Sequence, residues 1–155
     1  MNKFTMIEWH RKQAVENFNK TWDLMEKKDR THEEDLDMIH TAHASRFHWG
    51  VAGEPLHFAR GEWQISRVYS LLKMSDSALL HGNQSLTLCL ENYIGDFDLA
   101  FAYEAVARGY QVKGDENKVE EYCTLALEAA QLIKKKEDKE YFISELNSIK
   151  LGNRV

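Results

Sequence analysis

Residues that break helices are scarce in this chain: eight glycines and one proline are spread over 155 positions, about half the combined share usual in globular proteins. A sandwich or barrel of short strands turns roughly every 8 to 12 residues on Gly, Pro or Asn-Gly, and no regular series of that kind is present. The chain is therefore read as all-α.

Apolar spacing supports this reading helix by helix. Phe4, Ile7, Val15, Phe18, Trp22 and Met25 form one stripe of an amphipathic first helix over residues 4–26. Thr31 and Glu34 form a capping box that opens a second helix running to about Trp49, with Leu36, Ile39, His43 and Phe47 on one face. Gly50, Gly53 and Pro55 end it, and a third helix follows over 57–72 with Phe58, Ile65, Val68 and Leu72 in register. Ser75 is expected to cap a fourth helix, whose Ala78, Gly82, Ser85 and Cys89 make a small-residue face opposite Leu79, Leu86, Leu90 and Tyr93. Asp96 is expected to cap a fifth that ends at Gly114, and Asp115 restarts a sixth with Val119, Tyr122, Ala126, Ala129 and Ile133 toward the core. A last helix, 138–149, carries Phe142, Leu146 and Ile149 on one side and reads as a cap.

A length of 155 residues suits one domain that buries about two-thirds of its unfolded surface. The net charge of −5 gives no basic face for phosphate, so nucleic acid is not an expected partner. Lys134, Lys135 and Lys136 are expected to close a helix against its dipole. No apolar run is long enough to span a membrane, and the charged stretch MNKFTMIEWHRKQAV lacks the apolar core of a signal peptide. Cys89 and Cys123 lie in apolar helical patterns without a CxxC pair, so they are expected to be reduced core residues of a cytoplasmic protein.

The third and fifth helices repeat at an offset of 41 residues: Ile65, Ser66 and Tyr69 fall on Val106, Ala107 and Tyr110, and Ala78, Gly82 and Ser85 on Val119, Cys123 and Ala126. A large residue followed by small-x-x-Tyr, then two small positions in the next helix, resembles the tetratricopeptide repeat. Gly114 falls at that family's turn glycine, where the first unit has Lys73, and the usual period is about 34 residues. The strings HASRFHWG, ARGEWQISRVY and GDFDLAFAYEAVAR also resemble a bacterial family of small repeat-like proteins without an assigned activity. The resemblance implies about seven helices in antiparallel pairs stacked as a short right-handed superhelix. It organises one domain over 1–155, with a divergent first pair (1–52), repeats at 57–92 and 96–133, and the capping helix.

In tetratricopeptide-like proteins the first helix of each pair lines a groove. Carried over, the groove positions are Trp63 and Arg67, then Glu104 and Arg108, with Arg60 and Phe101 next outward. Arginine beside an indole suits a carboxylate or phosphate, because guanidinium is a planar bidentate donor that stacks on aromatics. Glu104 is the one charge between Leu99 and Ala107, so its burial requires a partner, expected to be an arginine of the third helix. The same residues would also build an internal Glu–Arg packing network.

A different class of function would use the histidines. Asp37, His40 and His43 recur every three residues and drift around the helix, so His40 and His43 share a metal only with ligands from another helix. His48 points away from that face, and Glu54 and His57 span Pro55 in a joint. His43 on an apolar stripe is most simply a hydrogen-bonded core histidine. No nucleophile elbow, P-loop or dinucleotide-binding glycine turn occurs, and Asp96 with Asp98 suit a helix N-terminus better than paired-carboxylate catalysis. No cofactor or metal is expected. The expected function is non-enzymatic: a protein or peptide, or a second copy in a homodimer, held in the groove by Arg60, Trp63, Arg67, Glu104 and Arg108. The alternative is a ligand- or metal-dependent enzyme with a pocket around His40, His43 and Glu104.

Overall fold

Reciprocal side-chain capping starts the first two helices. Thr5 Oγ1 accepts the Glu8 N–H while Glu8 returns to the Thr5 N–H, and Thr31 and Glu34 do the same. A computed structural model describes residues 3–152, with side chains through Ile149; Met1 and Asn2 of the charged amino-terminal stretch lie outside it. Seven helices follow in order: α1 (Met6–Glu26), α2 (His32–Ala52), α3 (Pro55–Leu71), α4 (Ser75–Glu91), α5 (Asp96–Lys113), α6 (Glu116–Ala130) and α7 (Lys136–Gly152). Among the described residues there is no strand, and the helices pack in adjacent pairs, consistent with an all-α helical-repeat fold.

The repeat is written in the joints. Lys73 adopts φ 62°, and Gly114, 41 residues on, adopts φ 87°. Met74 donates to the Tyr69 carbonyl at 2.9 Å and Asp115 to the Tyr110 carbonyl at 3.1 Å, so the same six-to-one bond closes α3 and α5. The first unit thus places a lysine where the second uses glycine, and left-handed backbone crowds the lysine Cβ. Small residues recur at the helix crossings. Ser66 Oγ donates to the Ala78 carbonyl and Ser85 Oγ to the Ala59 carbonyl, while a Cβ on Gly82 would meet Ser66 Oγ at 3.0 Å.

Three apolar clusters run along the stack. Met38, Ala42, Ile65 and Val68 join α2 to α3. Ala59, Leu86, Cys89, Ala102 and Val106 join α3, α4 and α5. Phe101, Val119, Phe142, Leu146 and Ile149 join α5 and α6 to α7.

Several expectations are corrected. Only the C-terminal part of the α1 stripe packs: Trp22 meets Trp63 and Met25 joins the α2–α3 cluster, whereas Phe4, Ile7 and Val15 are exposed and the fully buried positions are Ala14 and Thr21. Small polar residues make the α1–α2 contact, with Thr21 and Thr41 hydroxyls 2.8 Å apart and Ser45 Oγ donating to the Ala14 carbonyl at 2.7 Å. This lets the two backbones approach closely and turns the bulky stripe elsewhere. On α2, Leu36 and Phe47 are likewise exposed, and Met38, Thr41, Ala42 and Ser45 are buried. Gly50 sits inside α2, which ends at the Gly53 cap, and Pro55 is the first residue of α3. Ser75 and Asp96 begin their helices, whose N-caps are Met74 and Gly95. Leu90 and Tyr93 are exposed, and the lysine run lies in the α6–α7 joint with Lys136 opening α7. Lys73→Gly should raise unfolding stability by about 1 kcal/mol and Gly114→Ala should lower it by about as much, read by urea denaturation; a change of the same sign in both variants would contradict the equivalence of the two joints.

Candidate functional site

The first helices of successive pairs, α1, α3 and α5, share one face with α7, and every groove residue expected from the sequence lies on α3 or α5. Their side chains divide into two neighbouring sets.

Glu104 organises one set. It is fully buried. Its Oε1 accepts from Arg67 Nη1 at 3.0 Å and Arg108 Nε at 2.7 Å, and its Oε2 from Trp63 Nε1 at 3.1 Å. The arginine of the third helix expected for Glu104 is therefore Arg67. Both guanidinium groups continue onto α7: Arg67 Nη2 reaches Glu145 Oε2 at 3.2 Å, and Arg108 Nη2 donates to the Glu145 carbonyl and to Ser148 Oγ. Gln111 extends the same contact by donating to the Ile149 carbonyl at 2.8 Å. Two cations and two carboxylates thus balance in a half-buried network that joins α3, α5 and α7. A buried carboxylate with three donors is compensated, whereas removal of one member strands the rest.

The other set surrounds a cavity of about 240 Å³. Phe18 and Trp22 of α1, Trp63 of α3 and Phe97 and Phe101 of α5 supply its aromatic walls, and Tyr141 of α7 stands at one side. The rings touch in series: Trp22 to Trp63 at 5.7 Å, Trp63 to Phe101 at 5.6 Å edge-on, and Phe101 to Phe97 at 4.6 Å. The edge-on Trp63–Phe101 pair is a favoured aromatic geometry, and the other two pairs are tilted. At the rim Arg60 donates through Nε and Nη2 to both oxygens of Asp98, at 2.8 and 3.0 Å. That hydrogen bond holds the Arg60 guanidinium above its usual range. Burial raises the Tyr141 phenol, with Glu145 adding to the effect.

Trp63 belongs to both sets, its ring in the cavity wall and its N–H on Glu104. Sequence reasoning identified Arg60, Trp63 and Phe101 but missed Phe18 and Trp22, which were assigned to an ordinary core stripe. Asp98 at the first turn of α5 is Arg60's partner, a pairing that no local spacing could reveal.

The histidines lie in other networks. His43 Nε2 meets the Tyr69 hydroxyl at 2.8 Å, His81 Nδ1 meets Glu62 Oε2 at 2.6 Å, and Arg46 pairs with Glu62 at 3.3 Å. Burial, with His81 adding to it, holds His43 below its ordinary range. Neither His40, His43 nor Glu104 lines the cavity, and His43 and Glu104 have no hydrogen-bond partner in common. Among the described residues no three His, Cys, Asp or Glu side chains are grouped as a metal would need. Cys89 is buried, which pushes its thiol up to about 12, so it stays protonated and is a poor nucleophile.

Glu104→Gln should cost about 3–5 kcal/mol, since an amide cannot balance two guanidinium groups. Arg60→Ala, which removes a half-exposed guanidinium, should cost about 1 kcal/mol. Thermal unfolding of both variants checks the contrast, and a mild Glu104→Gln variant would show that the network is not structural. No helix among the described residues is long and apolar enough to cross a membrane. Compared with known proteins, the chain matches no protein-family model, no curated protein and no solved structure.

Proposed function

We propose that the chain is a cytoplasmic, tetratricopeptide-like interaction module without catalytic activity, and that it binds a segment of a protein partner by taking one bulky apolar side chain into the aromatic cavity. The observation that carries this reading is the cavity itself: aromatic walls from three successive first helices with a bidentate Arg60–Asp98 pair at the mouth. Its volume of about 240 Å³ falls below the roughly 300–1,000 Å³ that encloses drug-sized ligands. That size suits an anchor residue of a peptide better than a cofactor. Exposed Phe4, Ile7 and Val15 continue the apolar surface along α1 from Phe18 and Trp22, giving a peptide room beyond its anchor.

The expected groove residues then take different parts. Arg60 and Trp63 face the ligand. Arg67, Glu104 and Arg108 hold α7 in place and so fix Tyr141 beside the cavity. Cys89 and Cys123 are both buried in the helical packing, which fits thiols kept in a reducing compartment. The enzyme alternative has less support, because His43 and Glu104 belong to separate networks and none of its three residues lines the cavity.

Peptides selected by display against the wild-type protein should carry a bulky apolar residue and should lose about tenfold or more in affinity on Trp22→Ala, a deficit of about 1.4 kcal/mol. Titration of the four tryptophans' fluorescence gives the wild-type affinity, and calorimetry gives that of the variant. Selected peptides that bind Trp22→Ala and Tyr141→Ala as tightly as wild type would overturn the cavity as the binding site.

A further inference from the structure

All seven histidines lie between residues 10 and 81, and none follows. Three of them stand where the N-terminal half of α1, the end of α2 and the first turn of α3 come together, His10 against His48 and His57 against Trp49. His10 and His48 approach Nδ1 to Nδ1 at 2.8 Å, a bond that needs a proton on one nitrogen and a lone pair on the other. His57 Nδ1 accepts the Glu54 backbone N–H at 3.0 Å, which closes the N-terminus of α3 and needs that nitrogen unprotonated. The same ring stacks on Trp49 of α2, with centroids 4.1 Å apart and planes 6° from parallel. An imidazolium has donors only, so double protonation of the first pair, or protonation of His57, removes each bond.

The charges around this joint oppose protonation more than they favour it. Burial, and then His10, keep His48 below the ordinary value of 6.5. Burial, then Arg11 of α1, do the same for His57, with Glu54 opposing and Arg60 of α3 adding a further cation. Arg11 is held there by its bond to the Ala52 carbonyl at 3.2 Å. Two other histidine contacts lie apart from this joint. His81 faces the Glu62 carboxylate, which a charged ring would hold more strongly, whereas burial and His81 disfavour the charged form of His43 at its contact with Tyr69 between α2 and α3.

We propose that this joint is an acid-sensitive latch on the cavity: protonation of His48 and His57 releases the tip of the α1–α2 pair from the start of α3, which shifts the Phe18 and Trp22 wall against Arg60 and weakens ligand binding. The coupling to ligand rests on the cavity reading; the latch itself does not. The sign follows from proton uptake. The open joint takes up protons at the ordinary value of 6.5 and the closed joint only at lower pH, so the closed form keeps its full stability above that value and loses it as pH falls through and below it.

Amide hydrogen exchange of the full chain near pH 7.5 and near pH 5.5, corrected for the intrinsic rate, tests the latch without any ligand. In the acid sample, residues 6–16 and 48–60 should lose about tenfold in protection relative to α5 and α6, which carry no histidine. The His48→Gln/His57→Gln double variant should show no such acid response, because Gln keeps an acceptor at both places and is a usual residue at a capping-box third position. His57→Gln alone should lose part of it. Unchanged wild-type protection, or the same acid loosening in the double variant, would overturn the latch. N-phenyl-1-naphthylamine, a neutral apolar dye, should bind wild type less tightly at the lower pH and the double variant equally at both. Dye affinity that stays constant while the joint opens would overturn the coupling. Failure of the dye to bind at either pH would count against the cavity reading, and the exchange data would still decide the latch.

Discussion

The carboxylate of Glu104 is the point on which this architecture depends. It sits at zero exposure in α5 and receives hydrogen bonds from an indole and two guanidinium groups. Burying a charge is unfavourable by several kcal/mol unless partners replace the lost water, so the position of Glu104 dictates where Trp63, Arg67 and Arg108 must be. Because Trp63 and Arg67 belong to α3, and the arginines also reach Glu145 and Ser148 on α7, one buried group sets the spacing of three helices. The aromatic cavity follows from that spacing: Trp63 is held by its N–H, and its ring is thereby presented to Trp22 and Phe101.

At the other end of the molecule the packing rule is reversed. α1 and α2 meet through alanine, serine and threonine, with hydroxyl bonds across the contact. Small side chains allow close approach, and the hydroxyls are satisfied by each other and by carbonyls, so no buried polar atom of that contact is stranded. Leu24 and Met25 of α1 still join the α2–α3 cluster, while Phe18 and Trp22 turn to the shared face of α1, α3, α5 and α7. Part of an apolar stripe that would ordinarily be core becomes one wall of the cavity, with an exposed strip beyond it.

The two ends also differ in chemistry that responds to pH. Histidine-mediated bonds tie α1 through α4, whereas α5 through α7 are tied by apolar packing and the Glu104 network. Acid therefore acts on one side of the cavity only. Its α1 wall and its Arg60 rim belong to elements that meet at the histidine joint, while Phe97, Phe101 and Tyr141 stand on the insensitive half.

How much was legible can be argued from individual residues. Helix content, the number of helices, the 41-residue offset and the joints at Gly53, Gly114 and Asp115 were readable, because they follow from local properties of the chain: backbone freedom, capping chemistry and periodic burial. The need of Glu104 for an arginine of α3 was readable too, since an isolated charge in an apolar helix has few alternatives. What tertiary structure alone decided were the facts that depend on which surfaces meet. Apolar periodicity says that the α1 stripe avoids water but not what it faces, and a seam of small residues won the α2 contact because it permits closer packing. The Arg60–Asp98 pair, the His10–His48 contact, and the reach of both arginines onto Glu145 and Ser148 join residues roughly 40 to 80 positions apart. The sequence determined the helices and the charges that had to be answered; only the fold decided which partner answered each, because that choice is made by helix-to-helix distance and not by spacing along the chain.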